Sequence, residues 1–260
     1  MIKIKEYVMA ESLEQAYELN QKKRNCIIGG MLWLKMGNRN ILNAIDLSTL
    51  GLDRIEEDES GFRIGCMATL RDIEMHEGLN KEFQNLFKEA VRHIVGVQFR
   101  NCATVGGSIF PKLGFSDVLT AFLACDTQVI LYKKGEVSLR EFIYMPLDND
   151  ILTHIYVKKD GRKTAYESFR MTETDFPTLT CAMAMVDGRF ETVLGARPKH
   201  AEVVIDEELA DSLSKEDVAS YAKRVIDKLQ YGSNIRGSKQ YRKQLSKVLI
   251  SRCISRLTEE

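Results

Sequence analysis

Residues 100–117 read RNCATVGGSIFPKLGFSD, with two adjacent glycines after a short β-prone run and an acid, Asp117, ten residues after the second glycine. A second glycine pair, Gly29–Gly30, follows another short β-prone segment, NCII. Glycine tolerates a positive φ and, having no Cβ, lets a phosphate approach backbone N–H groups closely. Each pair can equally form a tight turn between two elements. The residue pattern alone leaves both interpretations open.

Asp117 and Trp33 each have two interpretations as well. Asp117 can be the N-cap or first-turn acid of a short helix over DVLTAFLAC, or its carboxylate can accept hydrogen bonds from hydroxyl or ring N–H groups of a ligand. Trp33, the only tryptophan, can flank a planar ligand or anchor the core. Spacing does not choose between these alternatives.

The composition is that of an ordinary soluble chain: 260 residues, 44% hydrophobic, with 37 Lys and Arg against 37 Asp and Glu. This length suits one large or two modest domains. Nucleic-acid and membrane-surface proteins normally carry a basic excess, so the balanced charge argues against both. The N-terminus MIKIKEYVMAES lacks the apolar run of a signal peptide, and no apolar run of about 18 residues occurs. A cytoplasmic location is therefore expected.

Several familiar kinds of site are not indicated. The cysteines form no CxxC motif, so neither zinc nor an iron–sulfur cluster is predicted, and we expect them to be small buried hydrophobes. The histidines lack metal-ligand spacing, and neither GxSxG nor GxGxxG occurs. GSNIRGSK at 232–239 has P-loop glycine spacing, but its Ser and Lys are transposed and a helical segment precedes it. A helix–helix turn with exposed polar groups is predicted there instead.

The first part of the chain alternates short strands and helices. IKIKEYV, NCII, RNILNAIDL and FRIGC are predicted strands, and a capping box, Ser12 to Gln15, begins a helix that runs to about Lys23. Apolar residues recur at helical spacing from Phe83 to Val95 and predict one helix there. A short helix should begin near Ser116, and TQVILYKKGEVSL should form two strands around a glycine turn.

The pattern changes near residues 158–165. TLTCAMAMVDGRFETVLGA predicts two antiparallel strands joined at Asp187–Gly188. The last 45 residues are predicted to be helical, with one core-facing stripe: Leu245, Val248, Leu249, Cys253 and Leu257. The chain is therefore predicted to contain an α/β part followed by an antiparallel sheet with terminal helices.

Five segments in order carry a family resemblance: CIIGGMLWL, GCMATLRDIE, VGVQFRNCATVGGSIFPKLGFSD, YESFRMTETDFPTLTCAMAM and GSNIRGSKQYRKQLSKVLISRCI. Together they resemble the FAD-binding subunit of the molybdenum hydroxylases, the medium-subunit family of xanthine dehydrogenase and carbon monoxide dehydrogenase. The resemblance extends over nearly the whole chain. QxRNxATVGGSI and RGSxxYRxxL are its most specific parts.

The resemblance implies an α+β fold in two parts. Residues 1–160 would form an FAD-binding domain of the PCMH type, as in vanillyl-alcohol oxidase and MurB, with subdomains of about 1–57 and 58–160. Residues 161–260 would form a C-terminal antiparallel sheet with helices, like the C-terminal domain of the carbon monoxide dehydrogenase flavoprotein.

The resemblance also assigns cofactor contacts by position. The first FAD loop would comprise Ile27, Ile28, Gly29, Gly30, Met31, Leu32 and Trp33. The second would comprise Thr104, Gly106, Gly107 and Ser108, and N–H groups of both loops would bind the pyrophosphate. Further cofactor contacts are implied at Ser116, Asp117, Ile151, Leu152 and Arg170. Of these, Ile151, Leu152 and Arg170 would lie beside the flavin ring.

The implied function is electron transfer between subunits. In this family hydroxylation takes place at a molybdenum cofactor on a large subunit, and a small subunit carries [2Fe–2S] clusters. FAD on this chain would collect electrons from those clusters and deliver them in pairs, usually to NAD⁺. No catalytic residue and no metal site is expected here. The alternatives are a stand-alone flavin oxidoreductase with its own small substrate, or an assembly protein that has lost the flavin.

Overall fold

The computed structural model of the chain describes residues 1–206 and 214–258. Its strands are β1 Lys3–Met9, β2 Cys26–Ile28, β3 Asn40–Asp46, β4 Ile55–Glu57, β5 Gly61–Gly65, β6 Thr127–Leu131, β7 Gly135–Ser138, β8 Leu152–Lys158, β9 Lys163–Arg170, β10 Pro177–Val186, β11 Arg189–Gly195 and β12 Glu202–Ile205. Its helices are α1 Leu13–Asn20, α2 Leu70–Met75, α3 Glu77–Glu82, α4 Leu86–Val91, α5 Val97–Arg100, α6 Val105–Ile109, α7 Asp117–Leu123, α8 Leu139–Phe142, α9 Lys215–Asp227 and α10 Lys239–Thr258.

The chain folds into two compact units, and each takes three segments of the sequence. Unit 1 comprises Met1–Ile73, Val97–Pro111 and Thr127–Val157, and unit 2 comprises Glu74–Gly96, Lys112–Asp126 and Lys158–Glu260. The domain boundary predicted at residue 160 and the subdomain boundary near 57 stay predictions. Among the described helices, none combines the length and apolar character needed to cross a membrane.

Unit 1 contains two sheets. In the smaller sheet β1 and β2 both pair in parallel with the central strand β3. β1 and β2 lie in parallel on either side of β3, and the crossover connection between them contains α1. Ser12 begins α1 as predicted, because its side chain accepts a hydrogen bond from Gln15 N at 3.1 Å, but the helix ends at Asn20 rather than near Lys23.

The larger sheet of unit 1 has the strand order β4-β5-β8-β6-β7. The predicted strand pair around a glycine turn is confirmed, since β6 and β7 are antiparallel and Gly135 at the turn has φ of +73°. A left-handed residue at this position costs little when it is glycine, because no Cβ meets the backbone.

Unit 2 is built on an antiparallel sheet with the order β12-β11-β10-β9. The predicted hairpin is confirmed: β10 and β11 pair antiparallel, and Asp187 and Gly188 have φ of +50° and +74°. Both faces of β10 are covered. Cys181 and Met183 pack with α9 and α10 on one face, and Thr180 on the other lies 2.9 Å from Thr120 of α7. Residues 177–184 are consequently all buried.

Two helical predictions need correction. The helix predicted from Phe83 to Val95 is confirmed only over Leu86–Val91, because Gln84 and Asn85 have φ of +45° and +63° and separate α3 from α4. Gln84 Oε1 accepts a hydrogen bond from Thr164 N of β9 at 2.6 Å, which holds this break against the sheet. Val95 is 48% exposed.

In α10 the predicted stripe is confirmed except at Val248, which is 45% exposed. The predicted helical end at residues 259–260 lies outside the described residues. The segment 232–239 joins α9 to α10 with mostly exposed polar residues, as predicted.

The cysteines are only partly as expected. Four are buried: Cys66, Cys125, Cys181 and Cys253. Cys26 is half-buried and Cys102 is exposed, so the prediction of small buried hydrophobes is wrong for Cys102. Cys102 lies shortly before the second glycine pair, and its backbone carbonyl oxygen, rather than its thiol, lies close to Gly30.

Candidate cofactor site

The two glycine pairs meet in unit 1. β2 ends at Ile28, and a Cβ on the next-but-one residue, Gly30, would lie 1.8 Å from the carbonyl oxygen of Cys102. A Cβ on Gly29 would lie 2.6 Å from Thr104 Oγ1. The first pair is therefore glycine because another loop of the same unit occupies the space that side chains would need. The turn interpretation and the ligand interpretation both remain compatible with this packing.

The second glycine pair begins the short helix α6. Thr104 is its N-cap, and its Oγ1 accepts a hydrogen bond from Gly107 N at 3.1 Å. Gly106 N donates to the Cys66 carbonyl oxygen at 2.8 Å, and Ser108 N donates to the Thr104 carbonyl oxygen at 3.1 Å. These three N–H groups thus have acceptors inside the protein. Their predicted donation to a pyrophosphate stays a prediction.

The first loop offers a different set of donors. Among the described residues, no acceptor is found for the backbone N–H groups of Gly29, Gly30, Met31 and Leu32, and Met31 has φ of +59°. Consecutive N–H groups around a left-handed residue are typical of the concave backbone sites that bind anions. A diphosphate needs such donors, and no lysine is required for it. The residues of this loop therefore fit the pyrophosphate of FAD.

Trp33 follows this run of N–H groups. Its side chain is 41% exposed, and its ring meets Phe99 edge-on at a centroid distance of 6.2 Å and an interplanar angle of 69°. The interpretation as a core anchor is therefore wrong. The contact with a planar ligand stays a prediction. Ile151 and Leu152, at the start of β8, are buried within unit 1, and their cofactor contacts are likewise untested predictions.

Asp117 lies in unit 2 and has both structural and electrostatic partners. Ser116 is the N-cap of α7, with Oγ accepting from Leu119 N at 3.0 Å, and Asp117 is the first-turn acid that follows. Asp117 Oδ1 accepts from the Tyr166 hydroxyl at 2.6 Å, and Oδ2 accepts from Arg170 Nη2 at 2.7 Å. The helix-start interpretation of Asp117 is confirmed. Its role toward a ligand stays a prediction.

The ion pair of Asp117 and Arg170 is almost wholly removed from solvent. Their side chains are 5% and 6% exposed. Burial raises the pKa of Asp117, while the charge and hydrogen bond of Arg170 and the hydrogen bond of Tyr166 act against that rise. Arg170 Nη1 donates to Ser168 Oγ at 3.0 Å, but its buried Nε has no acceptor among the described residues. A buried N–H without a partner is costly and is a natural place for a ligand acceptor.

The structure thus brings the predicted residues together in two groups, each within one unit. Gly29 and Gly30 lie against the segment from Cys102 to Thr104, and Asp117 pairs with Arg170. Sequence reasoning missed Tyr166. Alternation along β9 places residues 164, 166, 168 and 170 on one face, which is a signal available in the sequence once that strand is recognised.

A family model described as the FAD binding domain in molybdopterin dehydrogenase matches residues 2–157. The chain belongs to this family, as the resemblance predicted, and FAD is its cofactor. The glyceraldehyde dehydrogenase medium chain of Sulfolobus acidocaldarius is 26% identical over 266 residues, covering 94% of each chain. The Escherichia coli K12 protein YgfM is 26% identical over 194 residues, covering 71% of each chain.

The fold agrees with solved structures. The reconstituted carbon monoxide dehydrogenase of Oligotropha carboxidovorans contains a chain that matches with a TM-score of 0.86 at 20% identity, covering 99% of both chains. The predicted fold, a mixed FAD-binding part followed by an antiparallel sheet with helices, is confirmed. The chain is thus an FAD-binding member of the molybdopterin dehydrogenase family.

Proposed function

We propose that this chain is the electron-transfer subunit of a molybdenum-containing hydroxylase or dehydrogenase. A large subunit would carry the molybdenum cofactor and a small subunit the [2Fe–2S] clusters, with NAD⁺ or another molecule as the electron acceptor. The medium-chain name of the Sulfolobus relative supports this place in a complex. The observation that carries the proposal is the run of backbone N–H groups from Gly29 to Leu32 in a chain of this family.

The residues of the first loop would hold the cofactor through its pyrophosphate. The N–H groups of Gly29, Gly30, Met31 and Leu32 donate toward the anion, while Ile27 and Ile28 fix the start of the loop in the sheet. Bound FAD supplies the chemistry of taking up single electrons and releasing pairs. The protein supplies position and electrostatic environment, so no acid or base on this chain has to move a proton.

The remaining predicted contacts form part of the same proposal. Thr104 and Gly107 shape the second loop through the N-cap hydrogen bond, and Gly106 and Ser108 complete its backbone. Trp33 is the last proposed contact of the first loop. Beyond the loops, the proposed cofactor contacts are Ser116, Asp117, Ile151, Leu152 and Arg170. The resemblance supports these assignments residue by residue. Each can be tested by substitution against FAD affinity.

Two measurements test the proposal. The purified full chain should show flavin absorption bands, directly or after reconstitution with FAD, and the flavin should be released on denaturation because the proposed contacts are noncovalent. A chain that takes up no FAD contradicts the cofactor site. Affinity purification from the native cell should then recover a molybdenum-cofactor subunit and an iron–sulfur subunit. A flavin-loaded chain that purifies alone and oxidises a substrate by itself favours the stand-alone oxidoreductase.

A further inference from the structure

One face of β9 leads directly to the buried carboxylate of α7. Because side chains alternate along a strand, Tyr166, Ser168 and Arg170 lie on the same face. Tyr166 donates its hydroxyl hydrogen to Asp117 Oδ1 at 2.6 Å, and Arg170 Nη2 donates to Oδ2 at 2.7 Å. One strand therefore supplies a partner to each oxygen of Asp117.

This arrangement fixes the plane of the carboxylate. Asp117 and Tyr166 are both 4% exposed, so water cannot readily replace either hydrogen bond. Without the Tyr166 hydroxyl, Oδ1 would be buried without that donor, and the carboxylate could turn about its Cβ–Cγ bond. Arg170 would then lose the fixed oxygen that orients its guanidinium, since its other hydrogen bond is to the neutral Ser168 hydroxyl at 3.0 Å.

We propose that Tyr166 is a positioning residue for the cofactor contacts Asp117 and Arg170. By holding the carboxylate it holds the guanidinium, and thereby keeps the buried Nε–H of Arg170, which has no acceptor among the described residues, ready for an oxygen or nitrogen acceptor atom of bound FAD. This inference rests on the proposed function, which assigns Asp117 and Arg170 to the cofactor.

The chain provides a matched control. Tyr221 is also 4% exposed and lies in unit 2, where its hydroxyl is 2.7 Å from Thr192 Oγ1. Tyr166→Phe and Tyr221→Phe each delete one buried hydroxyl and one short hydrogen bond. FAD titration of the full-length apoprotein should show a dissociation constant raised about tenfold in Tyr166→Phe and less than twofold in Tyr221→Phe, because only the first loses an orienting contact to a charged pair.

A double-mutant cycle separates positioning from a general loss of stability. Asp117→Asn should weaken FAD binding by itself. If Tyr166 acts through Asp117, adding Tyr166→Phe to Asp117→Asn should change the dissociation constant for FAD by less than twofold. Adding Tyr221→Phe to Asp117→Asn should change it by the same small factor as adding Tyr221→Phe to the wild type. The visible spectrum of bound FAD should differ from wild type in Tyr166→Phe and match it in Tyr221→Phe.

The outcomes distinguish the inference from the proposed function. If Asp117→Asn weakens FAD binding and Tyr166→Phe does not, the positioning role is wrong and the proposed site stands. If Asp117→Asn and Arg170→Met both leave FAD affinity and the flavin spectrum unchanged, the assignment of that pair to the cofactor is wrong. Failure of Tyr166→Phe to fold, beside a folded Tyr221→Phe, also overturns the inference, because the hydroxyl would then serve the fold.

Discussion

Replacing Gly30 by alanine tests the contact between the two glycine loops. The added Cβ would lie 1.8 Å from the carbonyl oxygen of Cys102, and an ordinary carbon–oxygen contact is at least about 3.3 Å. The loops would have to separate by roughly 1.5 Å. A shift of this size in a packed interior costs about 1–3 kcal/mol. If the geometry of the first loop is what binds the pyrophosphate, that cost appears as a weaker affinity for FAD by about 5- to 150-fold.

The measurement is a titration of the full-length apoprotein with FAD, with a thermal melt of each apoprotein alongside. Gly37→Ala is the control, because Gly37 lies near the same loop but its Cβ would meet only Leu34 O, at 3.3 Å, and its φ of −82° suits any residue. Gly37→Ala should bind FAD within twofold of wild type. An unchanged affinity and melting temperature in Gly30→Ala would show that the close approach of the loops is not what builds the site.

Two further predictions concern charge and thiols. Burial disfavours the charge of Asp160, but the hydrogen bonds and charge of Arg162 outweigh it and hold the pKa of the carboxyl below its usual 3.8. A carboxyl whose pKa is lower in the folded than in the unfolded chain stabilises the fold above the unfolded pKa, and this stability is lost as the pH falls through the folded pKa. Asp160→Asn should therefore melt at a lower temperature than wild type at pH 7, and the difference in melting temperature should close below about pH 4. A difference that does not depend on pH contradicts this prediction. Iodoacetamide should label exposed Cys102 in the native chain. It should label Cys66 only after unfolding, because that thiol is buried and burial raises its pKa to about 12. Peptide mass spectrometry measures both reactions, and labelling of Cys66 in the native chain would contradict the packing.

Local chemistry in the sequence predicted much of the fold. Asp187–Gly188 predicts a tight hairpin because both residues tolerate a positive φ, and the structure has φ of +50° and +74° there. Ser116 predicts the start of α7 because its side chain can cap the first turn. In both cases the deciding interactions lie within a few residues of each other, where a single sequence carries the information.

The errors arise where distant contacts decide the structure. The apolar stripe from Phe83 onward has helical spacing, yet the chain breaks at Gln84 and Asn85, where a hydrogen bond from Thr164 of β9 holds the turn. Periodicity cannot reveal a partner 80 residues away. Likewise Val248 fits the spacing of the α10 stripe but is 45% exposed, because spacing along one helix does not show how far the packed face extends.

The candidate site shows the same division. The glycine pairs were found from the sequence, but the reason for Gly30 is the Cys102 carbonyl, which only the folded chain brings near. Asp117 was found from its place at a helix start, whereas its partner Tyr166 comes from a strand 49 residues further on. Residue identity and spacing point to a site, and the fold supplies the contacts that make it specific.

Unit 2 is built from three separate segments of the chain, and this affects how it folds during synthesis. Phe87 of α4 and Phe122 of α7 are in contact at a centroid distance of 4.6 Å, with their rings tilted by 51°, and these helices pack on the sheet that contains β9 and β10. The ribosome completes both helices before that sheet exists, and the roughly 60 residues from Asp126 to Val186 take about 3–12 s to synthesise. For that interval the nascent chain carries two apolar helices without the sheet on which they pack. A fragment that ended at residue 157 would contain α4 and α7 but lack β9 and β10, so these helices would keep an uncovered apolar face. The part of the chain that the family model matches is therefore not expected to fold properly without the rest.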